Sequence, residues 1–106
     1  MKFEEIYSEI KRINAKDPAT AAERLGKLFE EAGELAKAVN KTNGRKVLKE
    51  GDTKENIELE ILNEAADTIQ NVISVIDGFG WSYDHLMFAL QNKNVKWEKK
   101  IDNKKI

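Results

Sequence analysis

A chain of 106 residues has room for one domain (1-106) and none for a separate cofactor-binding module, and its 35% charged and 41% hydrophobic residues with a single proline describe a folded, helix-rich protein. Its 18 Lys and Arg against 19 Asp and Glu give a net charge of -1, so no general field holds nucleic acid or an anionic membrane; the lack of Cys excludes disulfides, thiolate nucleophiles and sulfur-ligated zinc or iron. No run approaches the roughly 18 apolar residues of a membrane span, and MKFEEIYSEIKRIN lacks the apolar core of a signal peptide, so a soluble, cytoplasmic protein is expected.

Phe3, Ile6, Tyr7, Ile10 and Ile13 recur at three- and four-residue steps, which predicts an amphipathic first helix ending about Asn14. Asp17-Pro18 then reads as an N-cap followed by proline at the first helical position, where its missing N–H costs nothing. The second helix is expected from there to near Asn40, along the stripe Leu25, Leu28, Phe29, Ala32, Leu35, Ala36 and Val39. The connection from Lys41 to Gly51 carries Arg45, Lys46 and Lys49 and is long enough to serve as a lid.

Asp52 with Glu55 three residues on resembles a capping box opening the third helix. The apolar face of that helix, from Ile57 and Ile61 through Ile69 to Ile73 and Ile76, is wide enough to predict near-complete burial. Gly78 and Gly80 supply its stop, and Ser82 or Asp84 caps a fourth helix carrying Tyr83, Leu86, Met87, Leu90, Trp97 and Ile101. No segment has the alternating period of a strand. The expected fold class is therefore all-α: an antiparallel four-helix bundle, whose small core calls for completion by oligomerisation, as a homodimer or homotetramer.

Two carboxylate pairs stand out. Glu31 and Glu34 on the second helix, and Glu64 and Asp67 on the third, are each three residues apart, so each pair shares a face at the margin of an apolar stripe. If the two helices pack antiparallel, four carboxylates converge, and they repel unless a cation joins them. All-oxygen ligands select a hard ion, Mg2+ or Mn2+, completed by water and substrate phosphates. The plainer alternative is that these are solvated acids on a helix surface.

On the fourth helix Lys93, Lys96 and Lys100 line one margin of the apolar stripe and Asn94 falls within it. Lys93 and Asn94, with Lys96, are candidates to reach triphosphate oxygens. The alternative for Lys96 and Lys100 is a solvated position favoured by the helix dipole. Asn71, one turn from Asp67, is a candidate for phosphate or ribose, and Glu60 on the same flank is equally suited to a lysine partner. Phe29, Trp81 and Trp97 read as core aromatics before base-stacking ones, and the single histidine, His85, as a first-turn surface residue.

The order EEAGE at 30–34, then a basic loop, then EAAD at 64–67 inside a long apolar helix, then a lysine-rich last helix, resembles the MazG-like all-alpha nucleotide pyrophosphohydrolases over roughly residues 20 to 100. That family's pattern is EExxE followed by ExxD. The resemblance implies hydrolysis of a (deoxy)nucleoside triphosphate to monophosphate and pyrophosphate, with Mg2+ held by Glu31, Glu34, Glu64 and Asp67. Glu30 fits the pattern too, as the holder of an extra metal or an orienter of water. The expected mechanism is metal-assisted attack by water, with Glu34 a candidate proton acceptor. The 29 residues between Glu34 and Glu64 are long for the family and leave the lid and the substrate open. Two alternatives stand beside this reading: a phosphoribosyl-ATP pyrophosphohydrolase of the same superfamily, and a non-catalytic helical interaction module.

Overall fold

Each helix start frees backbone N–H groups that only a nearby side chain or water can satisfy, and those partners decide where the helices of this chain begin. In the computed structural model, which describes residues 1–104, there are four helices and no strand among those residues: α1 Phe3–Asn14, α2 Ala21–Thr42, α3 Lys54–Gly78 and α4 Tyr83–Lys104. The start of α2 is not at Pro18. Thr20 accepts from the Glu23 N–H at 3.2 Å while the Glu23 carboxylate accepts from the Thr20 N–H at 3.2 Å, a full capping box. Two free donors are satisfied there, whereas Asp17 satisfies one, accepting from the Ala19 N–H at 2.9 Å in the preceding turn.

A second correction concerns α3, which Thr53 caps by accepting from the Asn56 N–H at 3.1 Å. Asp52 is engaged elsewhere, as described below. At α4 the Ser82 Oγ accepts from the His85 N–H at 3.4 Å and the His85 Nδ1 accepts from the Ser82 N–H at 3.1 Å, so histidine takes the place that glutamate has in a capping box. His85 is exposed, as expected, and this is its structural role. α2 runs two residues past Asn40, and the chain turns through Gly44 at φ 76°, a conformation that favours glycine.

α2 and α3 form a long antiparallel pair, and α1 packs across α3. Asn14, buried at the end of α1, donates from Nδ2 to the Asp77 carboxylate at 2.8 Å and fixes that crossing. Arg24 of α2 closes the connection by donating to the carbonyls of Asn14 and Asp17 at 3.4 and 3.2 Å. The fully buried apolar side chains are few: Tyr7, Ala38, Ile57 and Ile73. α3 is not nearly buried, since Leu59, Leu62 and Ile69 remain open to solvent.

The larger departure is α4. Its first turn is anchored by Tyr83, whose ring meets Tyr7 edge-on at 5.4 Å and Phe3 at 6.1 Å. Beyond that turn it runs along neither α2 nor α3, and every residue from Phe88 to Lys104 is exposed. Within one chain the expected four-helix bundle is therefore three packed helices and one that projects. The radius of gyration, 16.9 Å, exceeds the roughly 13 Å of a compact chain of this length. Among the described residues no helix is long and apolar enough to cross a membrane.

Candidate metal centre

The antiparallel pairing of α2 with α3 sets the second Glu of EEAGE against both acids of EAAD. Carboxylate oxygens of Glu31, Glu64 and Asp67 lie within 4.8 Å of one another. The Glu31 side chain is only 12% exposed. Glu64 is half-buried, and its Oε2 is shut off from solvent with no hydrogen-bond partner. A buried acceptor without a donor is uncommon, because the water it has lost is replaced by nothing.

The electrostatics split the cluster. Burial first, then a side-chain hydrogen bond with Glu31 and the charges of Glu31, Asp67 and Glu34, pushes the Glu64 carboxyl above its ordinary value. Glu31 moves the other way: the hydrogen bond from Lys27, at 3.1 Å, holds its carboxyl below the ordinary value against the opposing effect of burial. Glu64 thus keeps its proton to higher pH than an ordinary carboxyl, and Glu31 loses its own at lower pH. Lys27 sits at the exposed edge and also pairs with Glu30 at 3.6 Å. Sequence reasoning missed Lys27, although its place four residues ahead of Glu31 is the helical spacing that forms such pairs.

Of the four expected ligands, three converge and Glu34 stands outside them, exposed, near enough for its charge to raise Glu64. Glu30, 63% exposed, is turned to solvent and Lys27. Asn71 donates from Nδ2 to the Asp67 carbonyl of its own helix at 2.8 Å, and its side chain lines a cleft with Asn14 and Ser74. Lys93, Asn94 and Lys96 lie on the exposed, projecting part of α4, and one chain does not bring them to the carboxylates. Their expected placement required α4 to close the bundle. Phe29, Trp81 and Trp97, expected in the core, are exposed in the single chain.

A second charged cluster occupies the other end of the α2–α3 interface. Lys41 of α2 reaches Glu60 of α3 at 3.1 Å and Asp52 at 3.4 Å, with side chains 14%, 35% and 17% exposed respectively. Asp52 also accepts from the Lys49 N–H at 2.8 Å, which ties down the base of the 41–51 connection. The Glu60 carboxylate raises Lys41, and the Lys49 N–H lowers Asp52, so both groups are held charged.

The carboxylates of the first cluster offer only oxygen, from two helices, around a buried Glu64 oxygen that no N–H or hydroxyl of the described residues reaches. Such a donor set fits a small hard cation and not a soft one. Set against protein-family models, curated proteins and solved structures, the chain matches none.

Proposed function

We propose that this protein is a Mg2+-dependent hydrolase that cleaves (deoxy)nucleoside triphosphates to monophosphate and pyrophosphate, in the manner of the MazG-like enzymes its motifs resemble, and that it acts as a homodimer or homotetramer. Mn2+ is the other ion that suits the site. The observation that carries the reading is the meeting of Glu31, Glu64 and Asp67 around the unpartnered Oε2 of Glu64.

When bound, the ion supplies Lewis-acid polarisation of the phosphates and neutralises charge that builds in the transition state. The chain supplies the rest. Glu31 would hold the ion from one helix, and Glu64 and Asp67 from the other. Glu34, the free carboxylate beside them, accepts the proton of the attacking water as the bond from the α-phosphorus to the bridging oxygen breaks and pyrophosphate leaves. Lys27 limits the repulsion around Glu31.

The wide uncovered apolar surface of α4 favours a second reading, an interaction module. One assay separates the two, and the phosphoribosyl-ATP alternative with them. The protein is incubated with Mg2+ and a panel of nucleoside triphosphates and phosphoribosyl-ATP, and pyrophosphate is distinguished from orthophosphate. Pyrophosphate from common triphosphates, lost on adding EDTA, is the expected result. Orthophosphate as first product, or activity that survives EDTA, overturns the proposal; turnover of phosphoribosyl-ATP alone, or none, assigns one of the alternatives.

A further inference from the structure

We infer that α4 is a dimerisation helix on which a second copy of this chain docks parallel and in register, as a short two-stranded coiled coil with Asn94 facing Asn94 across the axis. The inference concerns α4 alone and does not depend on the metal centre.

The spacing comes first. Tyr83, Met87, Leu90, Asn94, Trp97 and Ile101 follow one another at steps of four, three, four, three and four residues. That is a heptad period, with Met87, Asn94 and Ile101 at the a positions and Tyr83, Leu90 and Trp97 at the d positions. The chain covers the start of the stripe, where Tyr83 packs on Tyr7 and Phe3, and leaves the rest open: Leu90, Trp97 and Ile101 are 46%, 65% and 42% exposed. An isolated helix of 22 residues with this composition is marginal in water. It needs a partner along its apolar side.

Charge selects the partner and its direction. Flanking the stripe, the g positions hold Lys93 and Lys100 and an e position holds Glu98. In a parallel pair, g of one helix meets e of the next heptad on the other, so Lys93 of each chain meets Glu98 of its neighbour, twice by symmetry. In an antiparallel pair g faces g, which sets lysine against lysine. Among the described residues neither Lys93 nor Glu98 has an ion-pair partner in its own chain. Asn94, polar in the middle of the seam, lowers stability but faces its own amide in a parallel pair in register, whereas an antiparallel pair sets a against d and buries it against Leu90 or Trp97, and so it favours the parallel arrangement.

The chain has no cysteine, so an introduced one reports on a single position. Ile101→Cys, at an a position, should form an intermolecular disulfide readily under mild oxidation of the full-length protein at micromolar concentration. Lys99→Cys, on the outer face, should cross-link at least ten times more slowly. In an antiparallel pair that sets Asn94 against Trp97 or Leu90 the two residues at 101 would lie at least about 16 Å apart, beyond disulfide reach. Leu90→Asp should weaken self-association by at least a hundredfold in light scattering while circular dichroism shows the other helices intact. Lys93→Glu should weaken it severalfold, and Lys93→Glu with Glu98→Lys should restore it to within about twofold. A monomeric wild type, equal cross-linking at positions 101 and 99, an unchanged mass for Leu90→Asp, or no recovery in the double charge reversal would each overturn the inference. None of these readouts uses nucleotide hydrolysis, so failure here is separable from failure of the proposed activity.

Discussion

The α2–α3 interface carries two clusters of charge, and they are solved in opposite ways. At one end, Lys41 is set between Asp52 and Glu60, and Lys41 and Asp52 are held in their charged forms. At the other, Glu31, Glu64 and Asp67 have only Lys27, which reaches Glu31 from the solvent edge and leaves a Glu64 oxygen buried with no donor. The same two helices thus set a lysine between the acids at one end and, at the other, a lysine that reaches only Glu31 from the solvent edge. The Lys41 cluster supplies its own cation; under the proposed function the other takes one from outside. The chain's lysines are not scarce, so the difference lies in placement.

Turnover is where that contrast should show most. Glu64→Gln or Asp67→Asn should lower pyrophosphate release by more than about a hundredfold, since losing even an outer-shell contact of a metal site costs about 10- to 100-fold. Lys41→Met should change it by no more than about threefold, while lowering thermal stability, because it leaves Asp52 and Glu60 without their shared cation. If Lys41→Met proved as damaging as Glu64→Gln in enzyme that remained folded, the two clusters would not have different roles.

Metal binding gives a smaller effect that needs no knowledge of the substrate. Because a ligand of the folded state stabilises it by mass action, Mg2+ at ten times its dissociation constant should raise the melting temperature by on the order of 5 °C. Asp67→Asn should lose most of that rise, and without Mg2+ it should be no less stable than wild type, because one of several repelling charges has gone. Asp52→Asn should keep the rise. An Asp67→Asn protein that is less stable than wild type without the ion and responds to Mg2+ just as strongly would mark the site as a structural network.

Which of these features sequence could reveal follows from the range of the interactions involved. Helical periodicity is local, so four helices and the end of α1 at Asn14 were readable, and so were the carboxylates at i and i+3. The starts of α2 and α3 were misplaced because rival caps stand within a few residues: Thr20 with Glu23 outcompetes Asp17-Pro18, and Asp52 gives up its capping place to Lys41 and Lys49. Convergence of Glu31 with Glu64 and Asp67 was legible once α2 and α3 were taken as antiparallel neighbours. Whether Glu34 joined them depends on side-chain direction, which periodicity leaves free. The placing of Lys93, Asn94 and Lys96 rested on α4 folding back, and an apolar stripe does not say whether its cover comes from its own chain.

The pH dependence of stability in metal-free protein should carry opposite signs at the two clusters. Glu64, raised above its unfolded value, contributes stability that is fully present below the ordinary carboxyl range and is lost as pH rises through the raised value. Glu64→Gln removes that loss, so the variant should be more stable than wild type at neutral pH, with the gap closing as pH falls below about 4. Asp52 is lowered, and its contribution is present above the ordinary range and lost as pH falls through the lowered value. Asp52→Asn should therefore be less stable than wild type at neutral pH and should converge with it in acid. Chemical denaturation of the three proteins between pH 3 and 7, with EDTA present, checks both signs; a Glu64→Gln protein less stable than wild type at neutral pH would mean that burial and crowding do not govern Glu64.

The smallest effect bears on the boundary between the two solutions, because Lys27 is the one residue that makes the acid trio resemble the Lys41 cluster. Its pair with Glu31 is a helical i,i+4 contact from a side chain that is 52% exposed, and contacts of that kind add little to stability. Lys27→Met should therefore leave the melting temperature of metal-free protein nearly unchanged. It should also let the Glu31 carboxyl rise, since the Lys27 hydrogen bond is the largest influence holding it down. For a cation, the substitution removes a competitor from Glu31 and leaves more negative charge at the site, so Mg2+ should bind a few times more tightly. Calorimetric titration of Mg2+ into both proteins at low ionic strength measures this, and the gain should shrink in high salt because Lys27 stands at the solvent edge. Unchanged affinity would mean that Glu31 is not a ligand and that Lys27 belongs to a closed ion pair like that of Lys41. Weaker binding would instead make Lys27 a positioning residue that holds Glu31 toward the ion.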